Sequence, residues 1–404
     1  MSAAQAVPDR PLVHGMGAEL VEPDWAPLTD DEVRAVLVHY PQPGSARPGT
    51  EAAITWHSPR PMSSAALVRW AGATVFVKRH DQRVRTPAQL AVEHGFAGHL
   101  RAAGVPVTAV LRTARGDSTL TRGKAVYEVH EAAAGVDLYR DAMSWTPFTS
   151  LGHAWAAGAA LARLHEAAAG FDQPARAPGV LMSSCDVITA RDPAEQVRRL
   201  LGERPGLARY MAQRHWEDDL ARYHVPVIRR VGPLLGALPP QWGHGDWHPS
   251  NLTWTSAGAD AGVAEVLDLG LANRTFAAHD LAVALERSTV SWLDLAETGH
   301  AEADLDAVRA LLDGYEATRR LDELELAALA ELLPVAHLEY ALSEIEYFAD
   351  VVRSLDSADL AYDVYLIGHT RWFDDQDGSL LIDCLQRRAV ASYRVRRPNR
   401  AGTA

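Results

Sequence analysis

The spacing of apolar positions changes along the chain, and the change divides it. Residues 1–51 are rich in Pro, Ala and charge, and read as an N-terminal extension. Within them Thr29-Asp-Asp-Glu-Val-Arg-Ala-Val-Leu predicts one helix, with Thr29 or Asp30 as N-cap and acidic residues in its first turn. From Ala52 short β-rich runs take over. Ile54-Thr-Trp-His, Ala65-Ala-Leu-Val-Arg-Trp and Thr74-Val-Phe-Val-Lys-Arg read as strands, the last two joined by a tight Ala71-Gly72 turn. Pro87 to Ala103 follows as a helix, with Leu90, His94, Ala97 and Leu100 at helical spacing. Val105 to Leu111 and Ala125 to Glu131 read as further strands. Beyond Gly135 the period is helical: Thr149 to Ala168, one or two surface helices within Pro193 to Leu235, and Ala277 to about Arg388. Two short apolar runs between Gln241 and Leu271 interrupt it, and a basic tail, 393–404, is expected to fray. This pattern predicts an α+β protein: a strand-rich N-lobe over 52–135 and a larger, mostly helical C-lobe over 136–392.

Composition adds limits. At 404 residues, 48% hydrophobic and 23% charged, the chain can form two ordinary cores. Its formal charge of −13 repels nucleic acid and anionic membrane, so neither is expected as a partner. Cys185 and Cys384 lie far apart, with no metal-ligand spacing and no disulfide framework, which suits a reducing cytoplasm. Met1 to Arg10 has no apolar stretch of the secretory kind, and no run is expected to reach the roughly 18 apolar residues of a membrane span.

Candidate chemistry is concentrated in two segments. His244-Gly-Asp-Trp-His-Pro-Ser-Asn251 holds an acid and, five positions later, an amide. Glu265-Val-Leu-Asp268-Leu-Gly270 ends an apolar strand with an acid before Gly. Phosphoryl transfer from a nucleotide needs a carboxylate to receive or orient the acceptor hydroxyl. It also needs oxygen ligands to hold Mg²⁺ against the phosphates. Asp246 can fill the first role, and Asn251 with Asp268 the second. A loop, a short hairpin and a return strand between Asp246 and Asp268 would bring the three side chains to one face. His244 and His248 could suggest zinc with Asp246, but their spacing would share a face only on a helix, and a stretch with Gly and Pro is a loop.

His244-x-Asp246-x-His248-x-x-Asn251 with Leu267-Asp268-Leu-Gly270 resembles the catalytic and metal motifs of the aminoglycoside phosphotransferase and choline kinase superfamily, small-molecule kinases related to protein kinases. The resemblance covers about residues 52–290 and implies a bilobal protein-kinase-like fold, with ATP (or GTP) and Mg²⁺ bound between the lobes. His248 stands where protein kinases usually carry a Lys, which favours the small-molecule branch. The resemblance implies that Lys78 contacts the nucleotide phosphates and that Glu93 pairs with it. It places the base near Glu131 to Ala134, with Glu131 and Ala133 at the hinge. It gives His244 a loop-ordering role and puts His248 beside the acceptor or phosphate. His165, in Leu161-Ala-Arg-Leu-His165, is read as structural, and Asp280 as a helix N-cap or a brace for the catalytic loop. There is one departure. Ser58-Pro-Arg-Pro-Met-Ser63-Ser64 stands where protein kinases place glycines, so phosphate cover there would fall to backbone N–H groups and the hydroxyls of Ser63 or Ser64.

The acceptor is expected to be a hydroxyl of a small molecule, in a pocket made by later helices. That region holds Glu286, Trp292, Asp294, Glu339, Tyr340, Glu344, Tyr347 and Asp350. Helical spacing puts Glu339, Ser343 and Glu346 on one face, with Tyr340, Glu344 and Tyr347 on another. Carboxylates beside aromatic rings suit an amine-bearing acceptor such as an aminoglycoside, amino sugar or amino alcohol. A kinase for a neutral sugar or nucleoside-type product is the alternative, and a nucleotide-binding pseudokinase scaffold the alternative of another class. The short interval from Gly270 to Asp280 leaves little room for the activation segment of a protein kinase. The chain is expected to act as a monomer or homodimer.

Overall fold

A computed structural model describes residues 12–16, 19–42 and 52–396, with the backbone alone from 392. Met1–Arg10, read above for a leader, and the end of the basic tail lie outside the described residues. The chain forms two compact units, one made of residues up to Gly95 with Thr108–Ala133, the other of Phe96–Val107 with the chain from Ala134. The first carries a small antiparallel sheet and the second is mainly helical, the α+β architecture of the protein-kinase-like fold.

In the first unit, α1 (Asp30–Leu37) starts at Thr29, whose hydroxyl accepts from Glu32 N. The five-stranded sheet has the order β1-β2-β3-β5-β4, with β1 Ala53–His57, β2 Ser64–Trp70, β3 Ala73–Asp81, β4 Leu120–Arg122 and β5 Ala125–Glu131. Ala71 and Gly72, at φ 49° and 84°, make the two-residue turn between β2 and β3. The segment expected as an extension belongs to this core. Val33, Val36 and Leu37 of α1 pack with Val68, Val75, Val77 and Val129 of the sheet. Glu32 ties the helix down, accepting from Arg79 at 2.7 Å and from the Tyr127 hydroxyl at 2.6 Å. Val105 to Leu111 is not the strand the pattern suggested. It makes two single bridges, Val107 to Val266 and Val110 to His130, and Pro106 lacks the N–H that a continuous ladder requires. Helix α2 spans Pro87–Ala102.

The second unit has helix α3 (Leu151–Ala168) and two short strand pairs. β6 (Gln241–Gly243) pairs with β9 (Asn273–Thr275), and β7 (Leu252–Trp254) with β8 (Val263–Val266), all antiparallel. Helix α4 (Ala277–Thr289) is buried along its whole length. It is followed by α5 (Leu305–Thr318), α6 (Glu323–Leu332) and α7 (Leu338–Glu346). Between Pro193 and Leu235 there are more helices than expected, including Pro193–Glu203, Pro205–Met211 and Val225–Leu235. Each buries an apolar face, through Val197, Leu207 and Val231 respectively. The helical run Glu323–Val352 does reach the length and mean hydropathy (1.2) of a membrane span, contrary to the expectation from sequence. Yet 89% of its apolar window is buried inside the protein, the mark of a core helix. The last helix, Gln376–Arg396, continues into the tail expected to fray.

Candidate active site

The loop after β6 is shaped by its histidine, its glycine and one buried acid. His244 Nε2 donates to Leu267 O at 2.9 Å, and its Nδ1 accepts from Asp246 N at 3.1 Å. The ring therefore joins the loop to the strand that ends before Asp268. Gly245 sits at φ 77°, and a Cβ there would overlap the Leu271 carbonyl, so only glycine fits the turn. Asp280, completely buried in the first turns of α4, accepts from His244 N and Gly245 N, both at 2.7 Å, and from His165 Nε2 at 2.9 Å. Burial would raise its pKa, but the His165 contact and the neighbouring donors bring it down to about 2. Of the two roles open to Asp280, the geometry selects the brace, since the N-cap position of α4 is Phe276. The brace extends behind the site: the Tyr315 hydroxyl lies 2.7 Å from His165 Nδ1 and accepts from Arg319 at 3.0 Å.

Asp246 and Asn251 are in contact at this loop, and Asp268 follows Leu267, whose backbone is hydrogen-bonded to Asn251. Asn251, in a short 3₁₀ turn, donates its Nδ2 to Asp246 O at 2.9 Å and to Asp246 Oδ2 at 3.1 Å. With the amide nitrogen so engaged, its oxygen is the atom left to meet a cation. Leu267 N donates to Asn251 O at 2.9 Å and so holds the strand before Asp268 against the same turn. Asp268 lies in the left-handed region at φ 49°, its Oδ1 accepting from Gly270 N at 3.2 Å. An amide oxygen and a carboxylate are hard donors of the kind Mg²⁺ takes. His248 Nε2 is 3.5 Å from Asp246 Oδ1, and its Nδ1 is 2.9 Å from Ser250 Oγ.

The sequence reading missed Arg287. Seven positions beyond Asp280 on α4, it is buried and ion-paired to Asp246 through Nη1. Its guanidinium lies over the rings of Tyr340 and Trp145, at 4.7 and 5.2 Å. Burial alone would raise the Asp246 carboxyl, but Arg287 and then His248 outweigh it and hold the group well below the usual carboxylate range. A signal was present in the sequence, because Asp280 and Arg287, seven positions apart, share one face of a helix whose middle, Leu281 to Leu285, is apolar.

Four of the expected acceptor residues, Glu286, Trp292, Tyr340 and Glu344, share the wall of one cavity of about 10 Å³ with Arg287, Trp145, His337 and His369. Glu344 is pushed up to about 8, by burial above all, against the pull of Arg287 and a Tyr340 hydrogen bond. Glu339 and Tyr347 do not line this cavity. Glu339 accepts from Val187 N at 2.5 Å and Ile188 N at 3.2 Å and pairs with the Ser184 hydroxyl, while Tyr347 is buried against Phe348. Glu346, on the face of Glu339, pairs with Arg204. Of the two faces expected, the first is structural, and the second reaches the cavity through Tyr340 and Glu344 but not Tyr347.

In the first unit, Lys78 on β3 stands in register between Ala65 and Glu128, and Glu93 is buried on α2. Ser64, expected to cover phosphates, is committed elsewhere: its hydroxyl donates to Ala26 O at 2.7 Å and accepts from Arg79 at 2.9 Å. Ser63 stays in the turn before β2. At the end of β5 the N–H groups of Glu131 and Ala132 bond to Ala109 O and Thr74 O, with Ala133 next in the chain.

The profile of the phosphotransferase enzyme family matches residues 63–324. An uncharacterised protein of Deinococcus radiodurans is 31% identical over 61% of this chain, which spans 63% of that relative's length. A homoserine kinase of Granulibacter bethesdensis is 26% identical, over 80% of this chain and 87% of its own. Among solved structures, an amicoumacin kinase in complex with AMP-PNP, Ca²⁺ and Ami shares the fold, with a TM-score of 0.54 at 14% identity, covering 85% of this chain and 92% of that one.

Proposed function

The chain belongs to the phosphotransferase enzyme family and is a small-molecule kinase, and from that premise we propose that it moves the γ-phosphoryl of ATP (or GTP) onto a hydroxyl of an amine-bearing small molecule. The observation that carries this reading is the triad at the braced loop, Asp246 and Asn251 in mutual contact with Asp268 close behind. When bound, Mg²⁺ and the nucleotide supply the phosphoryl group and neutralise its charge. Asn251 and Asp268 would hold that metal, Lys78 would meet the phosphates with Glu93 orienting it, and backbone around Ala133 would meet the base.

Asp246 holds the acceptor hydroxyl and takes its proton. A carboxylate kept strongly acidic is a poor base, so its first task is to accept the hydroxyl's hydrogen bond and aim its oxygen at phosphorus. In a loose transition state the proton leaves late, and orientation counts for more than basicity. Arg287 fixes one carboxylate oxygen and Asn251 the other, which sets that aim. Asp246→Asn is expected to keep nucleotide affinity and lower kcat by roughly two to four orders of magnitude. Turnover within tenfold of the parent would sink the assignment.

For the acceptor, the cavity at Glu286 and Glu344 is too small for a substrate group, and relatives named homoserine kinase make homoserine the first amine-bearing acceptor to try. Aminoglycosides, amino sugars, choline, homoserine, neutral sugars and nucleosides should be screened by ADP release and by the mass gain of one phosphate. Turnover of neutral acceptors with failure of every cationic one would overturn the amine and leave the kinase. Failure of all, with nucleotide still bound, would favour a scaffold.

A further inference from the structure

The cavity beside Arg287 holds a cluster that phosphoryl transfer does not use. Glu286, His337 and His369 each present one ligand atom there, and these atoms all lie within 4.8 Å of one another. All three residues are buried, at 1%, 4% and 2% exposure. The Nδ1 of His337 is 3.2 Å from Glu286 Oε2. Among the described residues neither His337 Nε2 nor either ring nitrogen of His369 has a hydrogen-bond partner. A polar group buried in this way destabilises the fold unless something meets it. His369 is also held in place: its ring stacks on Trp292 at 3.8 Å with 15° between planes, and stands edge-on to His337 at 4.8 Å. Rings fixed in this way keep their nitrogen lone pairs aimed, as metal ligands require.

Size and donor type narrow the occupant. A space of about 10 Å³ takes a water or one ion, and nothing larger. Two imidazoles and a carboxylate are the ligands of a borderline-soft divalent ion, whereas Mg²⁺ takes oxygens. The other histidine cluster, on the sheet of the first unit, differs. There the Nε2 atoms of His80, His94 and His130 already meet Glu128, at 2.8, 2.6 and 3.1 Å, so the groups facing the carboxylate complete one another.

We propose that Glu286, His337 and His369 bind one divalent transition-metal ion of the zinc class, distinct from the hard-cation position at Asn251 and Asp268. The ion ties α4 to the start of α7 and to the helix carrying His369, next to the arginine that pairs with Asp246. Its place is positional: it anchors Arg287's surroundings and touches no reacting atom. This does not depend on the identity of the acceptor or on the kinase reading.

The test is a Co²⁺ titration of the chelator-treated full chain, in excess Mg²⁺ and without nucleotide, followed by visible absorption and metal analysis. One Co²⁺ per chain with ligand-field bands is expected, displaced by Zn²⁺. Loss of an outer-shell partner already weakens metal binding about 10–100-fold, so His337→Gln and His369→Gln should each weaken it at least tenfold. His130→Gln, in the other cluster, should leave it unchanged. On the unaltered protein, equimolar Zn²⁺ should raise the Tm after chelation, a result that stands even if a variant fails to fold. A parent protein that retains no Co²⁺ and shows no Tm change has a water in the cavity, and the proposal fails. It fails equally if binding survives both substitutions, or is lost with His130→Gln instead.

Discussion

At the scale of single residues, the chemistry rests on how burial is offset. Asp246 is largely enclosed, with 21% of its side chain exposed, and Arg287 is the main group keeping it ionised. Arg287→Gln removes that counter-charge while burial stays, so the carboxyl must rise and take up a proton at higher pH. The acidic limb of the kcat–pH profile should therefore move to higher pH, and Arg287→Lys should restore most of it. A profile identical to the parent's would show that the pair does not govern Asp246. Glu344 has the opposite balance, since burial holds it protonated to about pH 8. Its folded pKa lies above the ordinary value of about 4.3, so the folded state binds the proton more tightly across that window. Stability is then greatest below the ordinary value and declines as pH rises towards 8. Glu344→Gln should flatten this decline of Tm between pH 5 and 8.5; the same slope in both proteins would refute the assignment. Asp246, Asn251 and Asp268 were legible in the sequence because one loop and hairpin carries them all. Arg287, His337 and His369 were not, because their meeting depends on tertiary packing rather than on a short motif.

At the scale of elements, the loop that carries Asp246 takes its form from helix α4. Asp280 accepts two loop N–H groups and one imidazole with no exposure to water, and Arg287 reaches the same loop from the same helix face. Asp280→Ala would leave the N–H groups of His244 and Gly245 and the His165 ring without their acceptor. Each lost buried partner costs about 1–3 kcal/mol. A loss of about 3–5 kcal/mol in denaturant unfolding is expected, with kcat falling along with stability in whatever enzyme folds. A change under 1 kcal/mol would mean the brace is incidental. Elements with strong local signals were readable from sequence: the Thr29 cap, the Ala71-Gly72 turn and the apolar face of α3. Val105 to Leu111 was misread because its β-branched residues outweighed Pro106, whose missing N–H breaks the ladder. Ser64 was misread for another reason. Its sequence neighbours suggested a phosphate loop, while Arg79 and Ala26, distant in sequence, use its hydroxyl.

At the scale of the molecule, two cores must each be complete, and the first depends on residues that precede the family match. Composition marked 1–51 as an extension, yet Leu28, Val33, Val36, Leu37 and Tyr40 are all under 5% exposed and pack with the sheet. Fully burying an aliphatic side chain of this size contributes about 1.5–3 kcal/mol. Glu32 adds an ion pair to Arg79 and a bond from Tyr127, and Asp30 accepts from Ile54 N at 2.8 Å. Removing residues 1–51 would therefore expose Val68, Val75 and Val77 on one sheet face and leave Arg79 without its carboxylate. A domain has only about 5–15 kcal/mol in all, so losing several buried side chains at once exceeds what the sheet can lose and still fold. The shortened chain should be insoluble, or should unfold at least 10 °C below the parent with impaired nucleotide binding. A milder variant separates the helix from the rest of the segment: Val36→Asp, which places a charge in the apolar contact without shortening the chain, should lower Tm in the same direction. If the chain starting at Ala52 folded with the parent's Tm and bound nucleotide normally, the sheet would be self-sufficient and α1 merely a cover.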